Sequence, residues 1–408
     1  MAGVGLNKKV YIATFGCKTN QADSEGIAAR FMATGHERVY GANAADICIV
    51  NTCTVTAKAD AQSKNEIRRL HRANPDAKII VTGCYASVAQ DELKKMAEVD
   101  EVMKYDDLPN SHFSKGGRGG FKTRPNLKIQ DGCDRYCAYC IVPYARGRAR
   151  SMPMDEVLAE VAAFKEAGYP EIVLTGIHLG GYGLDLEPKT SLINLLHLLA
   201  VLTGRDFRIR LSSIDPDEWT DELINFVTEN KSVCQHFHIP LQSGDDEILK
   251  KMGRRYTTGQ YKKLVSDLKL KVSGCAIGAD VIVGFPGETK ESFERTRKFI
   301  EDLPTDYLHV FPYSERRLTA AAKLKETVSN KEKQERVGIL REFSRRKREV
   351  FYKMHVNKEL TVVIERRRDK KTGLLKGISG NHIPVLIKGS DELMGKMIMR
   401  RIYEIDRR

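Results

Sequence analysis

The chain has 408 residues, of which 41% are hydrophobic and 30% are charged. This composition is typical of a folded globular protein, excludes a mostly disordered chain or a disulfide-rich miniprotein, and the length predicts two to four domains. No apolar run reaches about 18 residues, and the N-terminus lacks the apolar core of a secretory signal, so we expect no membrane span and a location in the cytosol.

The formal net charge of +13 is unevenly distributed. Residues 331–408 contain 22 Lys and Arg against 11 Asp and Glu, a net charge of +11, whereas the first 330 residues are nearly neutral. Nine cysteines are present, and because disulfides are rare in a reducing compartment, grouped thiols favour a metal, a cluster or redox chemistry.

Residues 1–113 alternate between short apolar runs and helical patterns. We expect strands at 10–15, 46–50 and 78–82, and helices at 24–34, 57–73 and 88–96. Such alternation predicts an α/β domain with a parallel sheet. A Gly- and Lys-rich stretch at 114–120 indicates a linker, which we place at 114–125.

Residues 126–355 continue the α/β pattern and end in a highly charged helix at 331–355. Six strands are expected, at 126–130, 172–175, 208–211, 236–240, 275–283 and 307–311. Six strands alternating with helices predict a partial β/α barrel, with an open doubly wound sheet as the alternative. Short β runs and turns after residue 356 predict a small all-β domain over 356–408.

Three cysteines lie close together directly after the first predicted barrel strand. Cys133, Cys137 and Cys140 form a Cys-x3-Cys-x2-Cys motif. Three thiolates on one loop can hold three irons of a cubane cluster and leave the fourth iron open for a ligand. Zinc is the alternative, but it prefers a fourth protein ligand, and no Cys or His follows within the next 20 residues.

A second group of three cysteines is spread over the N-terminal domain. Cys17, Cys53 and Cys84 each follow one of its predicted strands. Because the carboxyl ends of parallel strands share one edge of the sheet, the three thiols are expected to converge there and hold a second cluster. The alternative is that they are small core residues. Cys48, Cys234 and Cys275 are interpreted as core residues.

The Cys-x3-Cys-x2-Cys motif after a barrel strand resembles the radical S-adenosylmethionine (SAM) superfamily. With the N-terminal triplet and the small C-terminal β domain, the whole chain resembles the methylthiotransferases of that superfamily. The resemblance implies two [4Fe-4S] clusters and SAM as cofactors. Cys133, Cys137 and Cys140 would hold the cluster that generates a radical from SAM, and Cys17, Cys53 and Cys84 would hold the cluster that donates sulfur. It also implies a TRAM-like RNA-binding C-terminal domain.

Several polar residues lie at the carboxyl ends of predicted barrel strands, where barrel active sites are found. We expect Arg210, Ser212, Gln242 and Asp280 to contact SAM; turn formation or helix capping is the alternative for each. Arg146 and Arg148, after the cluster loop, either bind phosphate or line a domain interface.

The basic C-terminal part favours a nucleic-acid substrate, because Lys and Arg contact phosphates. Arg366–Lys371 and Arg400–Arg401 flank β runs, and Arg345–Arg348 lies on the preceding helix, where a solvated helix face is the alternative. Motifs such as 16–21 and 141–148 resemble the branch of the family that acts on threonylcarbamoyladenosine next to the tRNA anticodon.

Three other functions stay open: methylthiolation of isopentenyladenosine in tRNA, methylthiolation of a ribosomal-protein aspartate, and a non-catalytic iron–sulfur scaffold that binds RNA. The expected partners are a tRNA anticodon loop and a reducing electron donor that the sequence does not identify. The protein is expected to act as a monomer.

Overall fold

The structure is a computed structural model that describes residues 7–103, 122–204, 206–325, 328–403 and 405. Most of the predicted linker at 114–125 therefore lies outside the described residues. Within the described part of the chain, no helix is both long enough and apolar enough to cross a membrane.

The N-terminal region is a five-stranded parallel sheet with helices on both faces. The strands are β1 (Lys9–Thr14), β2 (Glu37–Arg38), β3 (Ile47–Thr52), β4 (Lys78–Gly83) and β5 (Glu101–Val102), in the spatial order β2-β1-β3-β4-β5. The helices are α1 (Lys18–Ala33), α2 (Ala57–Ala73), α3 (Cys84–Val88) and α4 (Gln90–Lys94). This arrangement confirms the predicted parallel α/β domain.

The central strand β3 explains why the sheet forms here. All six of its residues are buried, as expected for a strand covered on both faces. Thr56 caps α2, its side chain accepting a hydrogen bond from the Ala59 amide. Two helix predictions were inaccurate. Helix α1 begins at Lys18 rather than residue 24, and the helix expected at 88–96 is divided into α3 and α4.

The central region is a partial barrel of six parallel strands. They are β6 (Asn126–Lys128), β9 (Glu171–Thr175), β10 (Arg208–Leu211), β11 (His236–His238), β12 (Ala276–Val283) and β13 (Tyr307–Pro312). Ladders join β6 to β9 and β9 to β10, and join β11 to β12 and β12 to β13. A bridge between Ile209 and Val233 links the two halves. The partial barrel, rather than an open doubly wound sheet, is therefore the correct prediction.

Helices lie between and after the barrel strands along the chain. They are α5 (Val142–Arg146), α6 (Met154–Glu166), α7 (Leu192–Thr203), α8 (Asp221–Glu229), α9 (Asp246–Lys251), α10 (Thr258–Lys271), α11 (Lys290–Asp302) and α12 (Asn330–Lys353). A short antiparallel pair, β7 (Gln130–Asp131) with β8 (Arg150–Ser151), follows β6. Alternate strand residues such as Ile172, Leu174 and Ile209 pack against these helices in the largest core. The intervening residues, among them Glu171, Arg208 and Arg210, are buried on the opposite strand face.

The C-terminal region is a four-stranded antiparallel sheet. Its strands are β14 (Glu359–Arg368), β15 (Leu375–Ser379), β16 (Pro384–Ile387) and β17 (Met397–Arg401), in the order β16-β15-β14-β17. Its core, which includes Val362, Ile364 and Val385, also contains Phe351 of α12 and Ala276 of β12. The C-terminal sheet is therefore packed directly onto the barrel.

Candidate active site

The three N-terminal cysteines meet at one edge of the parallel sheet. Cys17 precedes α1, Cys53 directly follows β3, and Cys84 is the first residue of α3, directly after β4. The strands β1, β3 and β4 are neighbours, so their carboxyl ends place the three residues side by side. The side chain of Asn20 is close to two of the thiols, with its Oδ1 atom 4.0 Å from Cys17 Sγ and 3.8 Å from Cys84 Sγ.

Asn20 also holds the loops around these cysteines. Its Nδ2 donates to the Phe15 carbonyl at 2.8 Å and to the Thr52 carbonyl at 2.9 Å. Cys53 and Cys84 are buried, and Cys17 is exposed. Burial raises the pKa of the Cys53 thiol, and it raises the pKa of Cys84 to about 12 against the opposing effect of Arg146. Binding of iron, which requires thiolates, would release these protons.

The second triplet lies on the loop between β7 and α5. The Cys133 amide donates to the Gly147 carbonyl at 3.1 Å, and the Cys140 amide donates to the Cys137 carbonyl at 2.9 Å. The Ala138 amide donates to Met252 of the barrel at 2.9 Å. These backbone bonds fold the loop so that its three cysteines are all partly exposed.

Two donors point at sulfur atoms of this loop. The Arg135 amide is 3.4 Å from Cys133 Sγ, and Arg254 Nη1 is 3.4 Å from Cys137 Sγ. Asp215 fixes Arg254 at 2.6 Å. Burial raises the pKa of Cys133 to about 11 and that of Cys140 to about 12. Donors directed at cysteine sulfur fit ligated thiolates, which accept hydrogen bonds.

Arg146 joins the two triplets across the interface between the N-terminal region and the barrel. Its Nε donates to Cys84 Sγ at 3.2 Å, and its Nη1 donates to Asp131, two residues before Cys133, at 2.9 Å. Its Nη2 donates to Asp23 at 2.8 Å and also to Asn20. Arg146 is 2% exposed, so this charged network is fully buried. The alternative that Arg146 lines a domain interface is confirmed, whereas the side chain of Arg148 is 85% exposed.

The four residues predicted to contact SAM are placed differently from one another. Ser212 is buried, and its Oγ has no hydrogen-bond partner among the described residues. Gln242 has a φ of +65° and pairs with Val281, beside Asp280. Asp280 Oδ1 lies 3.2 Å from His238 Nε2. Ser212 directly follows β10, Gln242 lies beyond the end of β11, and Asp280 lies on β12.

Arg210 differs from these three because its guanidinium is bound to the protein. It donates to Glu171 at 2.8 Å and to the carbonyls of Ser379 and Gly380 at 3.0 Å each. Contact of Arg210 with SAM stays a prediction, and these hydrogen bonds do not favour it. They show instead that Arg210 attaches the C-terminal sheet to the barrel.

Glu171 is the centre of this attachment. It is fully buried and lies 2.8 Å from Arg210, 2.6 Å from Arg208 and 3.5 Å from Arg124. Burial alone would raise the pKa of Glu171, but the three arginines outweigh burial and hold its pKa well below the usual range. The sequence analysis missed Glu171, because the residue lies inside an apolar strand pattern with no motif around it.

The basic runs of the C-terminal part are largely paired on the surface. Arg345 pairs with Glu342 and Glu349, and Arg368 pairs with Asp391. The solvated helix face therefore accounts for part of the 345–348 run. Lys370 and Lys371 are exposed in the turn between β14 and β15.

The spacing of the thiols can be compared with that of the ligands of a single zinc ion. Thiolates bound tetrahedrally to zinc would have sulfur atoms about 3.8 Å apart. Among the described residues, only two groups have three ligand atoms within 4.8 Å of one another: His238, Asp280 and His309, and His178, Asp215 and Glu218. Neither group contains a cysteine. Within the described residues, neither cysteine triplet therefore has the close spacing of ligands around a single ion.

Comparisons with known proteins agree with this geometry. Residues 9–104 match the family model described as uncharacterized protein family UPF0004, and residues 127–300 match that of the radical SAM superfamily. The fold is similar to that of the radical SAM methyltransferase TsrM from Kitasatospora setae, with a TM-score of 0.51 and 14% identity over 75% of each chain. Residues 127–300 are thus a radical SAM domain, and this class of domain uses a [4Fe-4S] cluster and SAM.

Relatives with higher sequence identity show which family within this class the chain belongs to. The chain is 36% identical to the threonylcarbamoyladenosine tRNA methylthiotransferase MtaB of Bacillus subtilis over 96% of this chain and 93% of the relative. It is 36% identical to MtaB of Aquifex aeolicus over 96% and 99%. It is 32% identical to a tRNA-2-methylthio-N(6)-dimethylallyladenosine synthase of Natranaerobius thermophilus over 97% and 94%. The chain therefore belongs to the radical SAM methylthiotransferase family.

Proposed function

We propose that this enzyme transfers a methylthio group to carbon 2 of threonylcarbamoyladenosine next to the anticodon of a tRNA. Five relatives with this substrate in their names are 33–37% identical to this chain, among them Bacillus subtilis MtaB at 36% over 96% of the chain. The structural observation that carries the proposal is that Arg146 contacts both Cys84 of the N-terminal triplet and Asp131, two residues before the loop triplet. Sulfur insertion needs a source of sulfur and a radical generator close to one substrate.

In this proposal the two triplets have separate roles. Cys133, Cys137 and Cys140 would hold one [4Fe-4S] cluster, and Cys17, Cys53 and Cys84 would hold a second, auxiliary one. When bound, the clusters supply the electron that cleaves one SAM molecule and the sulfur that a second SAM methylates. Ser212, Gln242 and Asp280 are proposed to orient SAM, with the unpartnered Ser212 Oγ as the clearest candidate.

The chain's own residues keep this chemistry in place. Arg254 and the Arg135 amide donate toward the sulfurs of the loop triplet, and Arg146 donates toward Cys84. Such donors stabilise thiolate charge and orient the ligands. The close packing of the N-terminal region on the barrel excludes water from the ion pair between Arg146 and Asp131, which are 2% and 0% exposed.

We further propose the domain division 1–113, 126–355 and 356–408, with 114–125 as a linker and the C-terminal sheet as a TRAM-like module that binds RNA. Its antiparallel sheet and its exposed lysines at 370 and 371 support this role. The monomeric state, the location in the cytosol and the identity of the electron donor stay predictions.

The test is a reaction of the cluster-reconstituted, reduced protein with SAM and tRNA. We expect release of 5′-deoxyadenosine and formation of 2-methylthio-threonylcarbamoyladenosine. Activity only on tRNA that carries isopentenyladenosine would favour the alternative of an isopentenyladenosine methylthiotransferase. The 32% identity to the dimethylallyladenosine synthase supports that alternative. If protein with intact clusters released no 5′-deoxyadenosine, both methylthiotransferase functions would be contradicted. The non-catalytic iron–sulfur scaffold that binds RNA would then be favoured.

A further inference from the structure

A large cavity lies where the N-terminal region, the barrel and the C-terminal sheet meet. Its volume is about 600 Å³, which is within the range of cavities that bind small molecules. We call it the basic chamber, and it is lined by Lys18, Gln21, Lys122, Thr123, Arg124, Asn126, Val173, Arg210, Glu365, Arg366, Arg367 and His382. One of its lining residues, Lys18, directly follows Cys17 of the N-terminal triplet in the chain.

The lining of the basic chamber is strongly cationic. Six of its twelve residues are Lys or Arg, and only Glu365 is acidic. Some of these cations are neutralised within the protein. Arg124 lies 3.5 Å from Glu171 and 3.4 Å from Glu365, and Arg367 lies 2.8 Å from Glu365. Glu171 and Glu365 therefore form ion pairs with most of these arginines, and the lining keeps a net positive charge.

Lys18 carries much of that excess. It is half-buried, and its ammonium group has no hydrogen bond or ion pair with any described residue. Lys122 donates to the neutral Gln21 at 3.2 Å, so its charge is not compensated there either. Lys122 is exposed, but Lys18 is half-buried, and burying a cation without an anion is unfavourable, so the arrangement around Lys18 indicates that an anionic ligand completes it.

We propose that the basic chamber binds the carboxylate of the threonylcarbamoyl group while carbon 2 of the adenine lies toward the cysteine triplets. This inference rests on the proposed function and names the side chains that select the modified base. Threonylcarbamoyladenosine keeps the carboxylate of threonine, whereas an isopentenyl substituent is an uncharged hydrocarbon. An anion in the basic chamber would form charge-assisted hydrogen bonds to Lys18, and a hydrocarbon would leave the ammonium unpaired.

The test measures binding of anticodon stem-loop RNA to the cluster-reconstituted full chain. Three RNAs are compared, which carry threonylcarbamoyladenosine, isopentenyladenosine or unmodified adenosine at the target position. The wild type is expected to bind the first most tightly. Lys18→Gln is expected to reduce that preference by about tenfold or more, as loss of one charge-assisted contact would. Lys18→Arg should retain most of it.

Two further variants keep the test decisive. Lys122 is not adjacent to a cysteine in the sequence, and Lys122→Gln should reduce the same preference by a smaller factor, even if Lys18→Gln lowers the iron content. Lys263→Gln is the matched control, since its side chain is 76% exposed on α10. An unchanged preference in both chamber variants would overturn the proposal. Equal weakening for all three RNAs would also overturn it, because it would show a phosphate contact instead.

This binding experiment, together with the activity assay of the proposed function, separates the two. If the wild type forms the methylthio product but the chamber variants keep their preference, only the assignment of the basic chamber is wrong. If the wild type forms no methylthio product from threonylcarbamoyladenosine, the proposed function is wrong, whatever the binding data show.

Discussion

The two cysteine triplets of this protein are built in different ways. The loop triplet lies within eight consecutive residues, from Cys133 to Cys140, and backbone bonds of one loop shape it. The N-terminal triplet spans Cys17 to Cys84 and exists only because three neighbouring parallel strands end together. The first site is local, and the second depends on a whole sheet and on Arg146 from the barrel. Changes far from the thiols should therefore damage the second site more.

The largest expected effect comes from removing one thiol of each triplet. Cys133→Ala should abolish release of 5′-deoxyadenosine, because the remaining two thiolates cannot hold the radical-generating cluster. Cys53→Ala should retain that release but stop formation of the methylthio product. Both products and the bound iron are measured by chromatography and iron analysis.

Cys48→Ala serves as the control for this pair, because Cys48 is buried within β3 and points to the core. It should keep both products. If Cys53→Ala also abolished 5′-deoxyadenosine release while iron remained on the loop triplet, the two sites would not be separable.

The next effect lies at the attachment of the C-terminal sheet to the barrel. Glu171→Gln would leave the buried Arg208 and Arg210 without their counter-charge, which should reduce the free energy of unfolding by about 3–5 kcal/mol. Thermal unfolding measures the loss, and the iron content of the folded variant should be unchanged. Loss of iron from the N-terminal triplet would show that this attachment also supports it.

The difference in stability between the wild type and Glu171→Gln should change with pH in one direction. The pKa of Glu171 is lower in the folded protein, so its contribution is complete above the pKa of the unfolded chain, about 4.3, and is lost as the pH falls toward the folded pKa. The gap in unfolding temperature between the wild type and Glu171→Gln should be constant from pH 8 to pH 6 and shrink below about pH 4. A gap that grows on acidification would contradict the ion-pair account.

Two glycines allow a matched comparison of the triplets. Gly83, with a φ of +94°, precedes Cys84, and Gly132, with a φ of +69°, precedes Cys133. A Cβ at Gly83 would lie 2.5 Å from the Thr52 carbonyl, and one at Gly132 would lie 1.9 Å from the Arg148 carbonyl. Each Gly→Ala change should cost about 2–4 kcal/mol from backbone strain and overlap.

The damage should remain local to each triplet. Gly83→Ala should lower iron retention at the N-terminal triplet alone, and Gly132→Ala should lower it at the loop triplet alone. Electron paramagnetic resonance of the two clusters in each variant distinguishes them. Loss of both signals from either variant would contradict the independence of the sites.

The smallest expected effect concerns the link between the triplets. Arg146→Lys keeps a positive charge but loses the Nε donor that lies 3.2 Å from Cys84 Sγ. Because hydrogen bonds to sulfur favour the reduced cluster, the reduction potential of the auxiliary cluster should become more negative. The potential is measured in a Cys133→Ala background that lacks the other cluster. Arg148→Lys, whose side chain is exposed, is the control, and an equal shift in both variants would contradict a direct role of Arg146.

The same contrast explains what the sequence could predict. The spacing of Cys133, Cys137 and Cys140 is local, so it indicates their site directly. The convergence of Cys17, Cys53 and Cys84 could be inferred because each follows a strand of a recognisable βα unit. The contacts of Arg146 with Asp23 and of Arg210 with Gly380 join residues more than 100 positions apart, and no periodicity encodes them. For this reason the sequence could not show that Arg210 binds the C-terminal sheet, whereas Ser212 Oγ has no hydrogen-bond partner among the described residues.

The central claim is that the enzyme modifies threonylcarbamoyladenosine with both triplets. The most direct measurement is mass spectrometry of tRNA nucleosides from cells that lack the gene, complemented with the wild type or with Cys53→Ala. The account predicts that 2-methylthio-threonylcarbamoyladenosine disappears on deletion, returns with the wild type and does not return with Cys53→Ala. An unchanged level of this nucleoside in the deletion strain would contradict the account.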